Sequence, residues 1–107
     1  MQKYVEDAIR LLKEAFSEKF NDFHGIYLYG LFTDGKSYPE EDIELVAIFD
    51  SEDKYKRELI WLIVGKIESD LNVYIDLHPV TMEELKKDEE FYDEVVNHGI
   101  FFDNKTL

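Results

Sequence analysis

The sequence predicts a small α/β or α+β domain in which a three-stranded core sheet is flanked by about four helices. Three observations predict it: an opening amphipathic segment, three short apolar runs bounded by turn residues, and a long helical segment between the second and third runs. The order helix, strand, strand, helix, strand, helices is typical of a mixed domain. At 107 residues, we expect one domain over 1–107.

The opening segment, Tyr4 to Phe20, has the periodicity of an amphipathic helix. Its apolar residues recur at helical spacing, with charged residues between them. The apolar set is Val5, Ala8, Ile9, Leu12, Ala15, Phe16 and Phe20. The pattern predicts a helix packed on the sheet, followed by a first strand near Gly25 to Tyr29.

The second apolar run, Asp42 to Phe49, carries two carboxylates at its leading end, after a polar loop that begins at Gly30. Strand side chains alternate between faces, so Asp42 and Glu44 project from the same side. Two carboxylates about 7 Å apart along a strand, beside a glycine turn, suit a hard divalent cation. The alternative is that both are solvated residues at an exposed strand entry.

A long helix is predicted from Asp50 or Ser51 to about Leu71. Its segment Leu59 to Val64 is apolar on every side, which a helix with one buried face does not need. Either the helix lies deep in the protein, or its far face around Trp61 meets another subunit, as in a homodimer.

The third strand is predicted over 72–78, with Pro79 ending it. Asp76 lies inside this strand and shares a face with His78, which could contact a metal or substrate. Beyond it, a capping box at Thr81 predicts a short helix, and a second short helix is expected over 89–98. The final apolar patch, 100–102, is expected to dock onto the domain.

Composition excludes several classes of function. The 12 basic and 25 acidic residues give a net charge of −13, which would repel nucleic acid, and there is no cysteine for disulfides or thiolate chemistry. No long apolar run or secretion signal is present, so we expect no membrane contact and a cytoplasmic location. The charge suits a basic protein partner, or a substrate whose own charge is neutralised by bound metal.

The spacing of the central motif resembles that of a known superfamily. Gly30-Leu31, ten residues, then Asp42-Ile43-Glu44 is similar to the Gly-Ser, ten residues, Asp-x-Asp signature of the nucleotidyltransferases. The resemblance spans roughly residues 5–102. It is strongest to the minimal nucleotidyltransferases of the MntA-like antitoxin type. It implies a mixed sheet and a third carboxylate on a later strand, a place that Asp76 fits.

The resemblance also implies a chemistry. Asp42, Glu44 and Asp76 would be the catalytic and metal-binding residues, with Mg²⁺ as the metal and ATP as substrate or ligand. Gly30, Leu31 and Lys36 would contact the nucleotide. In minimal members, the acceptor of the nucleoside monophosphate can be a partner toxin of the HEPN class.

The chain departs from the family pattern at four positions. Leu31 replaces a serine, Glu44 an aspartate, and Phe32 and Asp34 stand where arginines are common. A leucine offers no hydroxyl to phosphate, and an aspartate repels it. We therefore expect weak metal binding, weak or lost adenylyl transfer, and a role as antitoxin or regulatory partner. The alternative is an active, Mg²⁺-dependent enzyme that adenylylates a partner protein such as a HEPN toxin.

Overall fold

The computed structural model describes residues 1–105. Helices cover both faces of a four-stranded sheet. In chain order the elements are α1 (Lys3–Lys19), β1 (Phe23–Tyr29), a 3₁₀ turn (Leu31–Asp34), β2 (Ile43–Phe49), α2 (Lys54–Leu71), β3 (Ile75–Val80), α3 (Met82–Lys87), α4 (Glu89–Tyr92), a π turn (Asp93–Asn97) and β4 (Ile100–Asp103).

The strands lie in the order β3-β2-β1-β4. β2 and β3 are parallel and the other two pairs are antiparallel, so the sheet is mixed. The α+β class is confirmed, but the sheet has a fourth strand beyond the three that were predicted. The apolar patch expected to dock onto the domain is this strand, with Phe102 opposite Ile26 and Ile100 opposite Leu28. Four residues without alternation are too short to predict a strand by pattern.

The third strand differs from its prediction at both ends. Asn72 adopts a left-handed conformation with φ 55° and ends α2, so β3 begins only at Ile75. Pro79 lies inside β3 rather than ending it. β3 is an edge strand, where a residue without an amide hydrogen is tolerated.

Helix α2 begins at Lys54, because the Asp53 side chain accepts a hydrogen bond of 2.8 Å from the Lys56 amide. This cap replaces the predicted one at Asp50 or Ser51. One face of α2 is buried, but Trp61 is 49% exposed. The alternative that the helix lies wholly inside the protein is therefore wrong. Among residues 1–105, no helix is long and apolar enough to span a bilayer.

Alternation along β2 divides the interior into two clusters. Ile43, Leu45, Ala47 and Phe49 point toward α1 and α2 and belong to the larger cluster. Val46 and Ile48 point to the other face, where a smaller cluster forms against residues of α3, α4 and the π turn. We call these the helix-covered face and the open face. Glu44 and Asp76 belong to the open face by the same alternation.

Candidate functional site

The parallel pairing of β2 and β3 brings two of the predicted site residues together. Glu44 lies directly opposite Asp76, and Tyr29 of β1 lies opposite Glu44 on the other side. Asp42, two residues before Glu44, precedes the strand and is exposed. These residues lie at one end of the open face, beside the turn at Gly30.

Gly30 has φ 80° and ψ −148°, a conformation that side chains rarely adopt. A Cβ atom at this position would overlap Oε2 of Glu44. The carboxylate of Glu44 therefore lies directly against the Gly30 backbone. The positive φ of the turn requires the glycine, and a side chain here would also displace the Glu44 carboxylate.

Negative charge is concentrated around Glu44. Burial raises its pKa first, and the neighbouring carboxylates of Glu94, Asp76 and Asp42 raise it further, with a small opposing effect from His78. We call Asp42, Glu44, Asp76 and Glu94 the carboxylate cluster.

The hydroxyl of Tyr29 lies in the negative electrostatic field of the same carboxylates. Burial raises its pKa, and the charges of Glu44, Asp76 and Glu94 add to the effect. Tyr29 also packs edge-to-face on Phe91 with ring centroids 5.4 Å apart. The tyrosine therefore stays neutral at physiological pH.

His78 lies on β3 beside the cluster. Its Nε2 is 3.4 Å from Oδ1 of Asp76, and its ring packs edge-to-face on Phe91 at 5.9 Å. Both side chains are about half exposed. His78 thus contacts a predicted site residue through its imidazole.

Two residues of the site were not predicted from the sequence. Tyr29 precedes Gly30, and its place opposite Glu44 follows from the hairpin pairing. Glu94 lies in the π turn, far along the chain from Glu44. Such turns are frequent at functional sites, but neither the turn nor the approach of Glu94 has a sequence signal.

The loop after Gly30 is held by its own side chains. Thr33 Oγ1 donates a hydrogen bond of 2.8 Å to the Gly30 carbonyl. Phe32 is buried and packs edge-to-face on Tyr4 and Tyr38, at 6.0 and 5.5 Å. Leu31, by contrast, is 48% exposed. The residue in the serine position therefore faces solvent with an apolar side chain, and the one hydroxyl in the turn is already bonded.

Asp34 anchors the same loop. Its carboxylate accepts hydrogen bonds of 2.6 Å from the Tyr38 hydroxyl and 2.8 Å from the Lys36 amide. The Tyr38 bond is the main cause of its lowered pKa. Within residues 1–105, the Lys36 ammonium forms no ion pair of its own. Lys36 is thus the cation that this loop offers to a ligand.

The donor set suits a hard cation in charge and atom type, since it consists of carboxylate oxygens in a negative field. Over the described residues 1–105, however, no three His, Asp or Glu side chains are already grouped closely enough to hold a metal ion. Asp42, Glu44 and Asp76 therefore do not form a preorganised metal site in this structure.

A separate groove of about 430 Å³ lies at the other end of the open face. Its lining includes Tyr27, Ile48, Thr81 and the hydrogen-bonded pair His24 and Asp50, whose Nε2 and Oδ1 are 2.5 Å apart. None of the carboxylate cluster lines it. The groove and the cluster are different places on one face.

No protein-family model matches the sequence, and no curated protein matches it significantly. Solved structures do match. A structure described as a toxin–antitoxin with AMP-PNP is 22% identical, with a TM-score of 0.63, covering 95% of this chain and 73% of that one. A mutant of the MntA–HepT toxin–antitoxin is 21% identical with a TM-score of 0.63, covering 91% and 70%.

A third match is the MNT antitoxin structure in complex with the tri-AMPylated HEPN toxin of Shewanella oneidensis. It is 17% identical with a TM-score of 0.59, covering 96% of this chain and 73% of that one. The chain therefore has the minimal nucleotidyltransferase fold. Within that fold, it is similar to structures of the MntA antitoxin type.

Proposed function

We propose that this chain is an antitoxin or regulatory subunit that keeps the minimal nucleotidyltransferase fold while its adenylyl transfer is weak or lost. Its structural neighbours include toxin–antitoxin complexes, one with AMP-PNP and one with an AMPylated HEPN toxin. By analogy, the partner is a protein of the HEPN type, and the ligand is ATP.

The observation that carries this proposal is the position of the Glu44 carboxylate. It lies against the Gly30 backbone, where a phosphate would need to approach. Glutamate is one methylene longer than aspartate, and this extra length carries its oxygens toward the glycine. A carboxylate in this place repels the triphosphate and competes with it for the backbone.

Two other residues also weaken the binding of a triphosphate. Leu31 offers no hydrogen bond, and Asp34 adds a negative charge that the Tyr38 hydroxyl holds in place. Losing a charge-assisted phosphate contact costs about 1.5–3 kcal/mol, so two losses weaken binding by roughly two to four powers of ten. Lys36 offsets part of this loss.

Mg²⁺, if bound, would be held by Asp42, Glu44 and Asp76 and would neutralise the charge between these residues and a triphosphate. Without such a cation, the cluster excludes anions. The partial burial of Glu44, which raises its pKa, limits how readily it becomes a charged ligand.

Calorimetric titration with ATP and Mg²⁺ tests the proposal. We expect weak binding by the natural chain and at least tenfold tighter binding by Glu44→Asp combined with Leu31→Ser. Glu41→Asp, at an exposed loop position outside the cluster, is the matched control and should change nothing. Asp34 is left unaltered because it holds the loop. Tight ATP binding by the natural chain, or no gain in the double variant, would refute the proposal.

The second candidate is an active Mg²⁺-dependent enzyme that adenylylates a partner such as a HEPN toxin. The in-register pair Glu44 and Asp76 favours it, because two carboxylates on neighbouring strands can share a metal. Incubation with labelled ATP, Mg²⁺ and a HEPN-type partner separates the two. Rapid labelling of the partner, lost in Asp76→Asn, would establish the enzyme.

A further inference from the structure

The outer face of α2 carries large apolar side chains that the described residues 1–105 leave exposed. Ile60, Val64 and Ile67 are buried against the sheet. On the other side, Leu62 is 71% and Tyr55 is 72% exposed. These two residues lie seven positions apart and so share one stripe of the helix. Large apolar side chains exposed on one stripe of a helix mark an interaction surface.

Gly65 lies on the border of this stripe. A glycine inside an exposed helix costs about 0.5–1 kcal/mol relative to alanine. Within residues 1–105 nothing requires this glycine, because a Cβ atom at Gly65 would have no neighbour within 4 Å and its backbone is ordinary helix. A close approach by another chain is a physical reason for a small residue here.

The charges on the outer face of α2 change sign about Leu62. Glu58 and Lys66 lie four residues to either side of it, and Lys54 and Asp70 lie eight to either side. At a rise of 1.5 Å per residue these distances are about 6 and 12 Å along the axis. Two copies of the helix packed antiparallel, with Leu62 at the centre, would place each charge level with an opposite one.

We propose that the outer face of α2 binds a second copy of this chain, antiparallel, with the two-fold axis at Leu62. Glu58 of each copy then faces Lys66 of the other, and Lys54 faces Asp70. Lys66 already pairs with Asp70 of its own helix at 2.9 Å, so the contact extends this pair into a network. A two-fold contact is self-complementary, as this charge pattern is.

The local charge of α2 permits this contact in an acidic protein. The helix carries four basic and three acidic residues, whereas the whole chain has a net charge of −13. The negative charges outside α2 on the two copies repel one another, but at physiological salt this repulsion is screened beyond about 8 Å. A single helix face is small beside the roughly 800 Å² per partner of a standard interface, so the dimer is a weak one.

Cysteine cross-linking tests both the contact and its direction, since the natural chain contains no cysteine. Under mild oxidation at high concentration, Leu62→Cys should form a disulfide-linked dimer. Ser69→Cys alone should form no disulfide-linked dimer. A mixture of Ser69→Cys and Tyr55→Cys should form a disulfide-linked heterodimer, because residue 69 of one copy is level with residue 55 of the other only in the antiparallel arrangement. Glu14→Cys, exposed on α1, is the control.

Charge exchange provides an independent measurement. Glu58→Lys and Lys66→Glu should each weaken self-association at least tenfold in sedimentation equilibrium, while the double variant recovers it. A mixture of the two single variants should associate as a heterodimer. Cross-linking of Leu62→Cys no greater than that of the control, or no recovery in the double variant, would overturn the proposal. It is independent of ATP binding, so its failure leaves the proposed function untouched.

Discussion

The two faces of the sheet are covered very differently. On the helix-covered face, α1 and α2 enclose a continuous cluster that includes fully buried residues such as Phe16, Leu12 and Leu45. On the open face, short helices cover a cluster of five buried residues. The carboxylate cluster lies at one end of this face. The first face supplies stability, and the second can hold charged groups because solvent still reaches them.

The largest expected loss of stability comes from a core substitution on the helix-covered face. Phe16 is fully buried among Phe20, Phe23 and Phe49, with ring centroids 5.4–6.2 Å away. Phe16→Ala should lower the free energy of unfolding by about 3–5 kcal/mol in urea denaturation. Leu85→Ala on the open face should cost about 2–3 kcal/mol, because that thinner cluster can relax. Equal losses would show that the two faces are packed alike.

The next effect concerns the ion pair that closes one end of the helix-covered face. Lys56 Nζ is 2.6 Å from Oδ2 of Asp22 and lies over the rings of Phe20 and Phe49. Both charged side chains are less than one fifth exposed. Lys56→Met should cost about 2–4 kcal/mol at neutral pH, because it leaves the largely buried Asp22 carboxylate without its partner. Lys3→Met, in an exposed ion pair on α1, is the matched control and should cost under about 0.5 kcal/mol.

The same pair gives a pH dependence. Burial tends to raise the pKa of Asp22, but the hydrogen bonds from Lys56 and Ser51 outweigh it and lower the pKa below its ordinary value. A lowered pKa means that the pair stabilises the protein above that ordinary value, and that this stability is lost as the pH falls through the folded-state pKa. The difference between Lys56→Met and the natural chain should therefore shrink as the pH falls, because Asp22 takes up a proton in the variant at a higher pH than it does in the natural chain.

The smallest expected effect on stability concerns the Glu44 carboxylate, on the open face. Because the pKa of Glu44 is raised, its charged form is disfavoured in the folded protein, and stability falls as the pH rises through the folded-state pKa. Glu44→Gln should therefore modestly raise the free energy of unfolding at pH 7, as measured by urea denaturation. Below the ordinary pKa of glutamate, the gain should disappear. A destabilised variant at pH 7 would mean that the carboxylate is held by favourable contacts instead.

Local patterns determined much of this protein. The periodicity of 4–20 predicted α1, and the capping box at Thr81 is present, with reciprocal hydrogen bonds of 3.1 Å to and from Glu84. The turn residues after Gly30 and the apolar run that ends at Phe49 predicted the loop and the second strand. These features depend on residues close in the chain, so sequence carries them directly.

Only the tertiary structure decided the rest. The fourth strand exists because β1 offers an open edge to a segment more than seventy residues away. The approach of Glu94 to Glu44 depends on the path of the π turn, and the exposure of Trp61 depends on which face of α2 the sheet covers. Such contacts join distant parts of the chain, and their geometry is set by packing rather than by any local preference.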